Sequence, residues 1–210
     1  LNEEFAWDNI KGKTVIGGRA GGMPEMVFEY ILKKNGIDPK TDLTIIQNID
    51  FGLTSQAFSS GQGDYTIEFE PAATALELVG AGKVVASLGV ESGKVPYTAF
   101  SAKKSYIEKN PEIIQSFTNA IQKGLDYVST HTPEEIAKVI QPQFAETDSD
   151  TLVKIVTRYY DQNTWKENLV FEEESLNLLQ DILSEAGELT ARAPYQDVIT
   201  TEYATKAAEK

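Results

Sequence analysis

The sequence predicts an α/β fold in its first half and a purely helical region in its second. Three observations carry this. Short β-branched runs alternate with amphipathic helical stretches up to about residue 90. Glycine and proline punctuate them at the spacing of strand–helix–strand units. After about residue 104 the apolar periodicity is helical throughout.

Taken in order, Lys11, Gly12 and Lys13 lead into a strand at residues 14–16, followed by a loop of glycines around Arg19 and Ala20. Pro24 sits where the first turn of a helix tolerates it. Met26, Val27, Tyr30 and Ile31 recur at helical spacing, and Asn35-Gly36 ends the helix. A strand is predicted over 43–47, a short helix over 53–60, and a strand over 64–70. Pro71 opens a helix that stops at Gly80-Ala81-Gly82, and 84–87 reads as a further strand. Repeated units of this length imply a parallel sheet.

The helices that follow are predicted over 111–130, 133–140, 148–163 and 172–186, with a small polar surface helix or frayed end from Thr201. Their apolar stripes include Phe117 and Ile121, Leu152 and Ile155, and Leu176 and Leu179. Each stripe needs a surface to bury against. The helices can form a bundle, or they can cover a sheet that this chain does not carry.

Composition narrows the function. The chain has 210 residues, 41% of them hydrophobic, which suffices for one core or two modest domains. A net charge of −13 disfavours nucleic acid and anionic lipid. With no Cys, thiolate catalysis, disulfides and Cys-based metal sites are excluded. Cys-free chains are compatible with export. No apolar stretch is long enough to span a bilayer, and no signal-peptide pattern opens the chain. Because the first residue is Leu1, the start of the gene product is expected upstream.

Two segments can carry chemistry. The loop Gly17 to Pro24 follows a strand and opens a helix, so glycine backbone and helix N–H groups can meet an anion, with Arg19 adding a bidentate contact. Its spacing matches neither a dinucleotide fingerprint nor a phosphate-binding loop. A flexible βα loop with a surface arginine is the alternative. In the second segment, strand alternation puts Thr66, Glu68 and Glu70 on one face, with both carboxylates at the carboxyl end of a parallel strand. They can bind an amine, a ring N–H or a hydroxyl, or be a solvated pair. A glycosidase pair is conceivable from two carboxylates alone, but nothing else supports it. His131 lies in a helix-to-helix turn and reads as a cap or surface residue. No catalytic residue, metal site or cofactor is assigned.

The ordered set of features resembles one family. It comprises Lys11 to Ile16, the glycine loop, Gly36-Ile37, 53–58, Gly61-Gln62-Gly63-Asp64, Phe69-Glu70-Pro71, Tyr97-Thr98-Ala99-Phe100 and Asn110-Pro111-Glu112-Ile113-Ile114. It is similar to solute-binding proteins of ABC importers in the nitrate, sulfonate, taurine and thiamine-pyrimidine-precursor group. The resemblance implies a type II periplasmic-binding-protein-like fold: one parallel-sheet lobe over 1–96, a crossover over 97–103, and helices of a second, incomplete lobe over 104–210. On the order of 100 residues of that lobe would precede Leu1.

By the same resemblance, ligand contacts fall on Arg19, Gly21, Gly22, Met23, Asp50, Phe51, Gly52, Glu68, Glu70 and Tyr97. The implied partners are a small-molecule solute and a membrane permease. The implied location is extracytoplasmic, periplasmic or lipid-anchored, and exposed helix faces would invite pairing with a second chain. Glycines and Arg19 stand where sulfonate binders often place a hydroxyl residue. The expected solute is therefore amine-bearing or like a thiamine-pyrimidine precursor. An oxyanion of the nitrate, sulfonate or taurine type is the alternative, and a pyrimidine-precursor synthase is an enzymatic one.

Overall fold

A computed structural model describes residues 4–209. Residues 1–3 and 210, which the sequence reading includes in its two lobes, lie outside the described range. The chain divides into two compact units. One comprises residues up to Val95 with Leu178–Ala191, and the other Pro96–Asn177 with residues from Arg192 onward.

The first unit is built on a parallel sheet of three strands, β1 (Thr14–Ile16), β2 (Thr44–Ile46) and β3 (Tyr65–Thr66). Their order is β2-β1-β3, with Val15 opposite Ile45 on one side and Tyr65 on the other. Helix α1 (Met23–Lys34) follows β1, α2 (Thr54–Ser59) follows β2, and α3 (Ala72–Leu78) and α4 (Leu88–Ser92) follow β3.

Helix α1 is buried on two sides. Phe28 and Leu32 join Ile10, Val15, Ile37, Leu43 and Ile67 in one cluster. Met26, Val27 and Ile31 join Ile182, with Leu178, Leu183 and Ala186 packed around them. Residues 178–191 thus belong to this unit, although periodicity alone groups them with the later helices.

Two sequence-predicted strands differ. The segment 64–70 pairs only at Tyr65 and Thr66, because β1 ends at Ile16. The amide of Ile67 makes the last ladder bond, to the Ile16 carbonyl at 3.0 Å, and beyond it Glu68 to Glu70 have no strand beside them. Residues 84–87 form no strand. The Val84 amide donates to the Glu77 carboxylate at 3.0 Å, and the Ser87 hydroxyl caps α4 by accepting from the Val90 amide at 3.3 Å. These local side-chain bonds replace a ladder.

The second unit is helical among the described residues. Its elements are α5 (Lys104–Lys109), α6 (Pro111–Thr130), α7 (Pro133–Ile140), α8 (Ser149–Asp161), the first turn of α9 (Glu173–Glu185), α10 (Tyr195–Val198) and α11 (Glu202–Ala208). Proline opens α6 and α7. Thr132 and Glu135 form a reciprocal capping box on α7, and Asp148 caps α8. Ile136, Ala137, Leu152 and Val156 form the core between α7 and α8. Helix α6 packs on α11, where buried Ala204 and Ala207 allow close approach and Gln115 donates to the Tyr203 carbonyl at 3.0 Å. No described helix is long and apolar enough to cross a membrane.

Candidate functional site

In the order β2-β1-β3, the chain leaves β1 for one neighbour and returns to the other side for the next. The crevice at the carboxyl ends of β1 and β3 is therefore a topological switch point, where open α/β sheets bind ligands. The glycine loop leaves β1 there, and the Glu68–Glu70 segment leaves β3 there.

The glycines are needed for approach. A Cβ on Gly17 would lie 2.7 Å from Cγ2 of Ile45. Gly18 has φ of +89°, and a Cβ there would stand 3.2 Å from the Phe51 ring. That ring also meets Phe69, with centroids 4.9 Å apart. The turns after β1, β2 and β3 thus converge on one apolar corner through Gly18, Phe51 and Phe69. Gly52 and Asp50 in the same turn are exposed.

Many loop amides are already bonded. Gly17 donates to Ile46 O at 3.0 Å, Ala20 to Gln47 O at 3.2 Å and Gly22 to Arg19 O at 2.9 Å. Gly21 donates to the Glu25 carboxylate at 3.2 Å. The cradle of N–H groups expected from the sequence is therefore largely spent within the protein. Arg19, exposed and bridged by its backbone to Asn48, offers the positive charge of the loop. Met23 packs against the Met26–Ile182 cluster.

The two carboxylates have different surroundings. Glu70 accepts the Thr74 amide at Oε2 and the Thr74 hydroxyl at Oε1, each at 3.0 Å, which anchors the start of α3. Glu68 is half-buried and accepts the Thr66 hydroxyl at 2.9 Å. Burial raises its pKa above the ordinary glutamate value, while the Thr54 and Thr66 hydroxyls oppose the rise. Tyr97 belongs to the other unit, where it is exposed.

The sequence reading missed Glu25 and Gln47. Glu25 is buried in the first turn of α1, and Oε1 accepts from Gln47 Nε2 at 2.5 Å. Burial pushes its pKa up to about 7, and neighbouring Glu29 adds to the rise. The available signal was position: Glu25 stands three residues after the helix cap Gly22, where a glutamate reaches back to the cap's amides. An open depression of about 550 Å³ lies elsewhere, toward the far end of α1, lined among others by Lys33, Asp38, Lys40 and Glu185. Among the described residues no group of His, Asp or Glu is arranged to hold a metal.

The fold has known relatives. A solved structure from Bordetella bronchiseptica RB50 matches with a TM-score of 0.62 and 19% identity, covering 96% of this chain and 65% of that one. The periplasmic sulfonate-binding protein SsuA of a "putative sulfonate ABC transporter" from Methylobacillus flagellatus KT matches with a TM-score of 0.72 and 20% identity, covering 100% of this chain and 63% of that one. The architecture is thus a partial type II periplasmic-binding-protein fold. In sequence, the "Putative binding protein YtlA" of Bacillus subtilis (strain 168) is 44% identical over 204 residues, or 97% of this chain. The chain spans 61% of that relative's length. Residues 7–136 match the NMT1/THI5 like family, and the chain belongs to that family.

Proposed function

We propose that the chain is the ligand-contacting part of an extracytoplasmic solute-binding protein that delivers a small polar solute to an ABC permease. The observation that carries this is the convergence of Gly18, Phe51 and Phe69 at the switch point of the sheet, with Glu68 beside Phe69 in sequence, in a chain of this family. The name of YtlA and that of the SsuA neighbour support the class. The role is binding rather than catalysis. The single histidine, which the synthase alternative needs in a reactive position, ends α6 and stacks on Tyr127 with ring centroids 3.6 Å apart. Closure around the solute would exclude water and strengthen contacts made only in the closed state.

Glu68 is the proposed reader of the solute, with Glu70 as its mount and Arg19 as contact for a polar tail. Phe51 and Phe69, their planes tilted by 52°, supply aromatic faces that a ring can stack on or meet edge-on. An ionised Glu68 facing nitrate or a bare sulfonate at 4 Å would cost roughly 4 kcal/mol at an effective dielectric near 20. An amine-bearing solute or an aminopyrimidine avoids that cost. Calorimetry with an aminopyrimidine, taurine, an unsubstituted alkanesulfonate and nitrate tests this. The aminopyrimidine should bind, and Glu68→Gln should weaken it. Tight binding of nitrate or the plain sulfonate, unchanged by Glu68→Gln, would overturn the solute class.

A further inference from the structure

Glu25 joins three pieces of the proposed site that lie apart in the sequence. It stands in the first turn of α1. One carboxylate oxygen holds the Gly21 amide of the loop at 3.2 Å, and the other holds Gln47 Nε2 at the end of β2 at 2.5 Å. The Gln47 carbonyl in turn accepts the Ala20 amide at 3.2 Å, closing a ring of contacts around residues 20–22. Glu25 is 3% exposed, so water does not readily replace a bond that its carboxylate loses.

We propose that Glu25 is the positioning residue of the ligand loop, holding Gly21 and Gln47 through its ionised carboxylate and releasing one of them when it takes up a proton. An ionised carboxylate accepts at both oxygens, whereas a protonated one turns one oxygen into a donor. Gly21 N–H and Gln47 Nε2 are both donors, so the protonated group loses an acceptor for one of them. The charged groups around Glu25 set where this occurs. Glu29, one turn along α1 and 3.4 Å from the same Gln47 nitrogen, repels the ionised form. Lys33 lies 3.8 Å from Glu29 and offsets part of that charge. Glu188 lies beside Gly21, its Oε1 3.0 Å from where a Cβ would stand, and Arg19 is the exposed cation of the loop. The inference rests on the reading of residues 19–23 as ligand contacts. It adds that solute affinity falls on acidification.

NMR of the labelled protein between about pH 5 and pH 9 tests the positioning role without any solute. The Glu25 carboxyl carbon, the Gly21 amide and the Gln47 side-chain amide should move together, with a midpoint at about 7. Glu29→Gln should lower the midpoint and keep the three signals coupled. Glu25→Gln should leave Gly21 and Gln47 stationary. The proposal is overturned if Gly21 and Gln47 stay still while Glu25 titrates, or if their movement survives in Glu25→Gln. If that variant does not fold, the wild-type and Glu29→Gln titrations still decide. Calorimetry with an aminopyrimidine is the second arm: affinity should fall by up to about tenfold per pH unit below the midpoint, as for one linked proton. Failure of the probe to bind at any pH, with the NMR coupling intact, counts against the solute reading and supports the positioning role alone.

Discussion

Thr74 donates its backbone amide and its hydroxyl to the two carboxylate oxygens of Glu70, each at 3.0 Å. Thr74 is fully buried, so the contact is shielded from competing water. Glu70→Ala should therefore lower the unfolding free energy by about 1–2 kcal/mol, as for loss of a helix cap. Thr74→Val should cost a similar amount, and the double variant less than the sum. Urea denaturation of the three variants checks this. Additive losses would show that the pair does not act as one contact.

The loop after β1 should tolerate no side chain at its first two positions. Gly17→Ala places a methyl 2.7 Å from Ile45 Cγ2 on the neighbouring strand, where the ladder leaves little room to yield. Gly18→Ala adds left-handed strain at φ of +89° and pushes on Phe51. Each should destabilise by about 1–3 kcal/mol. Gly18→Ala should also change the near-ultraviolet circular dichroism of the Phe51–Phe69 pair, whereas Gly52→Ala, which opens onto empty space, should leave it unchanged.

The dependence of stability on pH should have two limbs. The folded protein binds the Glu25 proton more tightly than the unfolded chain, whose ordinary value is 4.5. This contribution is complete below about pH 4.5 and is lost as pH rises through about 7, a change on the order of 3 kcal/mol. Glu68 acts in the same direction, because burial raises it too. Asp148 acts oppositely: bonds from Thr151 hold it below its ordinary value of 3.8, so its contribution disappears as pH falls below that value. Thermal melts from acid to mild base should show a maximum near pH 4, between the ordinary values of Asp148 and Glu25, and Glu25→Gln should flatten the basic limb.

Part of the α6 stripe is open in the described structure. Ile113 is 55% exposed and Phe117 46%, and the Phe117 ring meets Phe100, itself 75% exposed, edge-on at 4.9 Å. Leu152, Ile155 and Leu176 are buried. This chain should bind an apolar dye, and Phe117→Lys combined with Phe100→Ser should reduce the binding while leaving the melting temperature nearly unchanged. Equal dye binding by the variant would place the apolar surface elsewhere.

Local punctuation made much of the fold legible. Pro24 and Asn35-Gly36 frame α1, Pro111 and Pro133 open α6 and α7, and Asp148 caps α8, each a signal that acts within one turn. The segment 84–87 has strand-like composition, but its fate depends on Glu77 and on Val90, which no period-two pattern registers. The docking of Ile182 on α1 is also invisible to periodicity, since an apolar stripe does not name its partner. At the site, alternation placed Thr66 and Glu68 on one face, and they are hydrogen-bonded. For Glu25 only the position was legible, not the burial. A glutamate in a first helical turn reads as a match to the helix dipole, and its burial comes from a loop and a strand end distant in sequence.

The central place of β1 has a consequence for which positions of this unit are free to vary. β1 is laced to β2 on one edge and to β3 on the other, and Val15 and Ile16 are sealed in the interior. A one-residue slip would swap those side chains between two buried faces and break the ladder to both neighbours, so the foundation cannot drift. The residues beyond it face no such veto: Arg19, Asp50 and Gly52 are exposed. The rim is a replaceable cassette on a fixed plinth. Exchanging exposed rim residues should leave the strands beneath intact.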